Sequence, residues 1–303
     1  MKVVSFYRFT NVNDLAQLRA NLHALCEAHN LLGTVLVAGE GVNGTLAGND
    51  AALQTIFRWL QNELALADPI EVRWTEAEEA PFQRLRVILK KEIVALGRPD
   101  LRPTQDKRTH VGPQQWNELL ANPQTLVVDT RNHYEVELGT FPNSIDPATD
   151  SFRQFQDFAA KLAESGVDRP LAMFCTGGIR CEKAAALMQA LGFDEVYQLQ
   201  GGILNYLKNV PDSENQWHGE CFVFDKRVAV DRDLAEGGYV QCHACRRPLS
   251  SEDLASADYR EGVSCPKCVG THDVDRAARL EERRKQVELA RDRGEKHLGA
   301  KSD

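Results

Sequence analysis

Two groups of cysteines carry the chemistry this sequence offers. The first lies in Met173–Lys183, MFCTGGIRCEK. An apolar run ends at Cys175, Gly177 and Gly178 follow, and a helical pattern begins near Cys181. The glycines let the backbone curl so that several N–H groups can face one concavity. The helix start adds the positive end of its dipole, and Arg180 adds a full charge. All three favour thiolate over thiol at Cys175, the state a nucleophilic cysteine needs. A buried cysteine at a strand end is the plainer reading. Gly-Gly, Arg and a helix start together favour the reactive one.

The second group is Cys242-x-x-Cys245 and Cys265-x-x-Cys268, with 19 residues between the pairs. This is the spacing of a tetrahedral four-cysteine zinc site, structural rather than catalytic because four sulfurs leave no open position. His243 could replace a sulfur, although an exposed position is expected for it. Cys26, in LAQLRANLHALCEAH, and Cys221, in CFVFD, read as small core residues. The start, MKVVSFYRFTNVND, lacks the long apolar region of a secretory leader. The expected location is therefore the cytoplasm, where thiols stay reduced and metal or thiol chemistry outweighs a disulfide framework.

The elements that must position these groups follow from periodicity. Residues 1–92 read as strand, helix, two strands, helix and strand pattern, the order of a ferredoxin-like sandwich. The helices run from Asn13 or Asp14 to residue 29 and from Asp50 to about Leu64. The two central strands are joined by a Gly-rich turn over 39–44. A linker over 93–122 contains Pro99, Pro103 and Pro113. Residues 123–218 alternate short apolar strands with helices, the pattern of a parallel sheet covered by helices. Residues 219–303 form a Cys-rich region ending in a charged helix from about Asp273 to Arg293. The expected class is thus α/β and α+β combined.

The 303 residues carry a net charge of -8, with 43% hydrophobic residues. Such a chain can bury real cores, and no apolar run reaches the length of a membrane helix. The acidity argues against general nucleic-acid binding, but it is unevenly spread. Residues 84–108 hold Arg84, Arg86, Lys90, Lys91, Arg98, Arg102, Lys107 and Arg108 against three acids, a local net of +5. Residues 276–297 reach +3. Phosphate contact is favoured for the first stretch, with Lys90, Lys91, Arg98 and Arg102 as candidates. For the tail, a solvated helix face with i,i+4 ion pairs is an equal reading.

The segment Cys175-x-x-Gly178-x-Arg180 resembles the active-site loop of rhodanese domains. VVDTRNHYEVELGTF, with Asp129, Arg131, Glu135 and Gly139, is similar to a second rhodanese element, and VYQLQGGILNY, with Gly201 and Gly202, to a third. The resemblance implies that Cys175 is the reactive cysteine, on a loop of Thr176, Gly177, Gly178, Ile179 and Arg180. Asp129 and Arg131 are expected to brace the sheet edge, and Arg180 to hold the loop shut or meet an anion. Cys181 departs from the ordinary pattern. It could resolve a persulfide, pair with Cys175, or pack at the helix start.

Together with GECFVFDKRVAV, CHAC, GVSCPKC and RGEKHLG in the C-terminal region, the chain resembles the bacterial tRNA uridine(34) hydroxylases. That resemblance implies tRNA as partner, molecular oxygen as co-substrate and 5-hydroxyuridine as product. Thiolate addition to C6 of uracil is the chemistry proposed for Cys175. A sulfurtransferase carrying a persulfide on Cys175 is the alternative, and a non-catalytic persulfide-sensing or RNA-binding module a second. No flavin, haem or nucleotide-binding motif is found in the sequence, and it says nothing of oligomeric state.

Overall fold

The computed structural model describes residues 1–103 and 109–294. Strand β1 (Lys2–Phe9) alternates with period two, so Val4 and Phe6 face one side and Ser5 and Tyr7 the other. Helix α1 (Leu15–Ala28) is capped by Asp14, which accepts from the Gln17 N–H at 2.9 Å. Strands β2 (Leu32–Ala38) and β3 (Gly41–Gly48) form a hairpin. Helix α2 (Asp50–Glu63) is capped by Asn49, and β4 (Glu71–Glu76) and β5 (Leu85–Leu89) follow. The sheet order is β4-β1-β3-β2-β5, antiparallel except for the β2–β5 pair. This is the ferredoxin-like arrangement with one added strand. Both helices pack on one face, where Leu18, Leu22, Leu53, Ile56 and Leu60 meet Val4, Phe6 and Leu46.

The expected Gly-rich turn is shorter than its glycines suggested. Only Gly39 and Glu40 turn, and residues 41–44 are already strand. Gly44 is there because the β2 backbone is close: a Cβ would lie 2.7 Å from the Thr34 carbonyl oxygen.

In the second unit, β6 (His110–Val111), β10 (Val196–Leu199), β9 (Leu171–Phe174) and β7 (Leu126–Asp129) form a parallel sheet in that order. Every residue of β9 is buried, as a parallel strand covered on both faces requires. On one side lie α3 (Pro113–Ala121) and α7 (Gly202–Asn209), with Trp116, Phe141, Phe174 and Tyr206 in a shared aromatic core. On the other lie α5 (Phe155–Glu164) and α6 (Ile179–Ala190), packed through Phe155, Met173, Ala184 and Met188. A single turn, α4 (His133–Val136), and the short strand β8 (Gly139–Thr140) follow β7. The segment 93–122 carries β6 and α3, which belong to this unit's sheet and core. Lys107 and Arg108 lie outside the described residues.

The remaining chain wraps back across both units. Strand β11 (His218–Gly219) pairs with β8, and β12 (Cys221–Phe222) with β13 (Ala229–Val230). Between β12 and β13, buried Arg227 pairs with Asp225 at 2.6 Å and donates to Thr75 Oγ1 and the Glu76 carbonyl, both at 3.0 Å. The C-terminal region is thereby fixed to β4 of the first unit. A hairpin of β14 (Val240–Gln241) and β15 (Pro248–Leu249), a short α8 (Ser251–Ala255) and the long α9 (Val274–Asp292) complete the structure. Residues 295–299 of RGEKHLG lie outside the described residues. No helix among the described residues is long and apolar enough to cross a membrane.

Candidate active site

Cys175 follows β9 directly, and α6 begins four residues later at Ile179. Gly178 takes φ +96°, a left-handed conformation that turns its N–H toward the sulfur, 3.1 Å from Cys175 Sγ. The N–H groups of Arg180 and Cys181 point the same way. Burial pushes the Cys175 thiol up. The Cys181 thiol that donates to it, the Arg180 charge and those N–H groups outweigh burial and bring it down to about 5. Burial and the bond to Cys175 push Cys181 well above the usual thiol range, and Thr130 Oγ1 lies 3.6 Å from its sulfur. The pair therefore shares one proton, held on Cys181, beside a Cys175 thiolate.

The second glycine motif closes the loop from beneath. The N–H groups of Ile203 and Leu204, at the start of α7, donate to the carbonyls of Cys175 (2.9 Å) and Thr176 (3.1 Å). Gly202 sits at φ +67°, and a Cβ there would come within 2.4 Å of the Cys175 carbonyl oxygen. Only glycine lets the two backbones approach this closely.

Arg180 makes a two-pronged ion pair with Glu135 at 2.6 and 2.8 Å, and both are buried. Its charge is thus pinned beside the sulfur rather than left free for a substrate anion. Asp129 and Arg131, fully buried, pair at 2.5 Å. Arg131 also donates to the Glu135 and Gly139 carbonyls and lies over Trp217. These two residues hold the backbone that carries Glu135. The motif's acid, base and glycine are linked into one bracket around the thiol loop.

Cys175 is 1% exposed, yet it lines a cavity of about 440 Å³. The thiol loop and Arg180 form the floor. The helix-free face of the first unit's sheet forms the roof through Ser5, Tyr7, Thr34, Asn43, Thr45 and Arg73. Val223, Phe224 and Asp225 of the C-terminal region supply a wall. Phe224 is 61% exposed and stands 5.9 Å from the Arg180 guanidinium.

Several residues of this region went unread in the sequence. Lys183 is fully buried and pairs with Glu40 at 2.8 Å and Glu92 at 2.6 Å, which locks α6 to the first unit. Its neighbour Glu182 accepts from Tyr7 (3.1 Å) and meets His110 Nε2 (3.0 Å). In the sequence, Glu182 and Lys183 look like a helix's wet face. The signal available was Tyr7 and Ser5 on the polar phase of β1, opposite Val4 and Phe6.

Of the basic candidates, Lys90 and Lys91 are exposed, whereas Arg98 pairs with Asp100 (2.6 Å) and Arg102 lies 3.7 Å from Glu40. None of the four lines the cavity.

The four cysteines Cys242, Cys245, Cys265 and Cys268 have their sulfurs within 4.8 Å of one another. Cys265 lies 3.7 Å from Cys245 and 3.6 Å from Cys268. A tetrahedron with metal–sulfur bonds of about 2.3 Å has edges of about 3.8 Å. The set can therefore hold one metal ion. Leu280 of α9 packs against the same cluster. His243 is exposed and outside the set, and Cys26 and Cys221 are buried in cores.

Residues 1–93 match the family model described as UPF0176 acylphosphatase like domain, and residues 112–209 match Rhodanese-like domain. Over 298 residues the chain is 46% identical to a tRNA uridine(34) hydroxylase of Acaryochloris marina, covering 98% of this chain and 96% of that one. It is also 46% identical over 297 residues to a protein of that name from Agrobacterium fabrum, covering 98% and 94%. A solved acylphosphatase from Bacillus subtilis aligns with 29% of this chain and 99% of its own, at 18% identity and a TM-score of 0.25.

Proposed function

Because the chain belongs to the tRNA uridine(34) hydroxylase family, we propose that it converts uridine at tRNA position 34 to 5-hydroxyuridine, with Cys175 as nucleophile. The observation that carries this reading is a cysteine held near pKa 5 at the floor of a partly open cavity of about 440 Å³. The thiolate adds to C6 of the uracil ring, and the C5=C6 electron pair moves toward the C4 carbonyl. C5 becomes electron-rich and can attack an oxygen electrophile. Molecular oxygen is the co-substrate. Placing one of its atoms on C5 and releasing the other as water takes two electrons and two protons, and the electrons come from an external reductant. Loss of the sulfur restores the ring.

A base in an anticodon loop is already unpaired, so entering the cavity costs little unstacking. Phosphate contacts are assigned first to Lys90 and Lys91, since Arg98 and Arg102 already face carboxylates. We assign Zn²⁺ to Cys242, Cys245, Cys265 and Cys268, where it would cross-link the hairpin to the base of α9. The protein acts in the cytoplasm, on tRNA.

Mass spectrometry of tRNA nucleosides tests the assignment, using a deletion strain carrying the wild-type gene or Cys175→Ala. The expected result is 5-hydroxyuridine derivatives with the first and none with the second. Hydroxylation that survives Cys175→Ala would overturn the role of the cysteine. Unmodified tRNA with both, alongside rapid thiocyanate release from thiosulfate and cyanide, would identify a sulfurtransferase instead.

A further inference from the structure

From Tyr7 in the roof of the cavity, a chain of hydrogen-bonding groups that the thiolate chemistry does not use leads away behind it. Tyr7 Oη fills the space that a side chain at position 178 would occupy, 3.1 Å from that Cβ position. The Gly178 N–H donates to Cys175 Sγ, so the phenol and the sulfur flank a single residue of the loop. Tyr7 donates to Glu182 Oε1 at 3.1 Å, and His110 Nε2 meets the same oxygen at 3.0 Å. His110 Nδ1 lies 3.2 Å from Thr109 Oγ1. Three distant parts of the chain, β1, α6 and β6, thus converge on one carboxylate. The His110 side chain is 18% exposed and Glu182 9%, so the series runs from the cavity outward. Arg73 fixes the ring from the other side, with its guanidinium 5.4 Å from the Tyr7 centroid and its Nε donating to the Gly201 carbonyl. Glu71 Oε2, paired with Arg73, stands 3.5 Å from the Tyr7 hydroxyl.

We propose that Tyr7 is a second catalytic residue, the acid that protonates the pyrimidine's C4 oxygen as Cys175 adds to C6, and that Glu182 and His110 return the proton to it. The proposal rests on the addition step described above. In that step the S–C6 bond forms and the C5=C6 pair moves into a C4 enolate. The Tyr7 O–H bond breaks as its proton passes to that oxygen, giving a neutral enol. The Glu182 carboxylate takes the Nε2 proton of His110 and passes it to the phenolate, while His110 takes one up from solvent. No electrons leave or enter, so the step needs neither oxygen nor reductant. A phenol is suited to this place because it stays protonated beside a thiolate, whereas a carboxylic acid there would give its proton to the sulfur. The same residue bars pyrimidines that offer no carbonyl at C4, because an amino group there cannot accept from the phenol.

The enol can take up a solvent proton at C5 and lose the original one, so reversible addition exchanges the C5 hydrogen without hydroxylation. The test is tritium release from tRNA labelled with [5-³H]uridine, incubated without oxygen with wild-type protein, Tyr7→Phe, Glu182→Gln or Cys175→Ala. Tritium release by the wild type is expected. Cys175→Ala should release none, and Tyr7→Phe should be slower by about 100-fold or more. Its tRNA dissociation constant should stay within about twofold of wild type. Glu182→Gln should fall between Tyr7→Phe and wild type. Wild-type release that Tyr7→Phe matches would leave the thiol addition standing and overturn the role of Tyr7 alone. A Tyr7→Phe loss that tracks weakened tRNA binding would reduce Tyr7 to a structural contact and also overturn it. No release by the wild type would sink the addition step, and the proposal with it.

Discussion

The thiolate state of Cys175 has a thermodynamic consequence that unfolding experiments can read without any substrate. In the folded protein, Cys175 is held down at about 5 while Cys181 is pushed well above the ordinary thiol range. Between about pH 5 and 8.5 the folded pair holds one proton and the unfolded pair holds two. Unfolding takes up a proton, so stability rises with pH by about 1.4 kcal/mol per pH unit. The direction follows from an acid whose folded value is depressed. Its stabilisation is present above the unfolded thiol value and is lost as pH falls toward 5. Above about pH 8.5 the unfolded pair holds none while Cys181 keeps its proton, and the slope reverses.

Cys175→Ala leaves one thiol, protonated in both states through this window, and so removes that slope. The difference in unfolding free energy between wild type and Cys175→Ala should therefore widen by about 3 kcal/mol from pH 6 to pH 8. Urea titrations under reducing conditions, followed by tryptophan fluorescence, measure it. Trp116 and Trp217 lie in the core of the same unit. Subtracting one protein from the other cancels every other titrating group. Parallel pH profiles for the two proteins would refute the thiolate assignment.

Other perturbations address different parts of the structure. Lys183→Met leaves Glu92 buried without its cation and Glu40 with only Arg102, 3.7 Å away, and a loss of about 3–5 kcal/mol in urea unfolding is expected; an unchanged midpoint would show that the two units do not depend on this cluster. Cys265→Ser should abolish stoichiometric zinc in the purified protein, as read by mass spectrometry of the metal, and speed hydrogen exchange in α9; equal metal content in wild type and variant would remove the zinc assignment. Phe224→Ala should raise KM for tRNA by fivefold or more while Phe224→Trp retains wild-type values, since stacking on a base is worth about 1–3 kcal/mol. Equal KM values for all three proteins would show that this exposed ring does not touch RNA.

The parts of the site that were legible in the sequence are those held by local geometry. Cys175, Gly178, Arg180 and the start of α6 sit within a few residues of one another, and their spacing states their arrangement. The CxxC pairs are equally explicit, because two turns of fixed shape must each offer two sulfurs to one centre. The capped helices α1 and α2 carry Asp14 and Asn49 at the positions where free N–H groups need an acceptor. What stayed hidden depends on contacts between residues far apart in the chain. Glu182 and Lys183 look like solvent-facing residues until Tyr7, His110, Glu40 and Glu92 surround them, at separations of up to 175 residues. Arg102 reads as an available charge and Arg180 as one that either holds the loop shut or meets an anion, and each faces a carboxylate that lies far from it in the sequence. A single sequence records which residues are charged but not which of them find each other.

The wall of Val223, Phe224 and Asp225 bears on how the protein comes into being. Synthesis proceeds from the N-terminus, so the roof strands and then Cys175 leave the ribosome before this wall does. Until residue 227 is free to reach Thr75, the nascent chain carries its sulfur in a chamber that lacks one of its walls. An incomplete chain would be a hazard as well as inactive, because a loop built to ionise a thiol ionises it without regard to substrate. Excising the middle unit for study, or grafting its loop elsewhere, would transfer the reactivity and leave behind what restrains it.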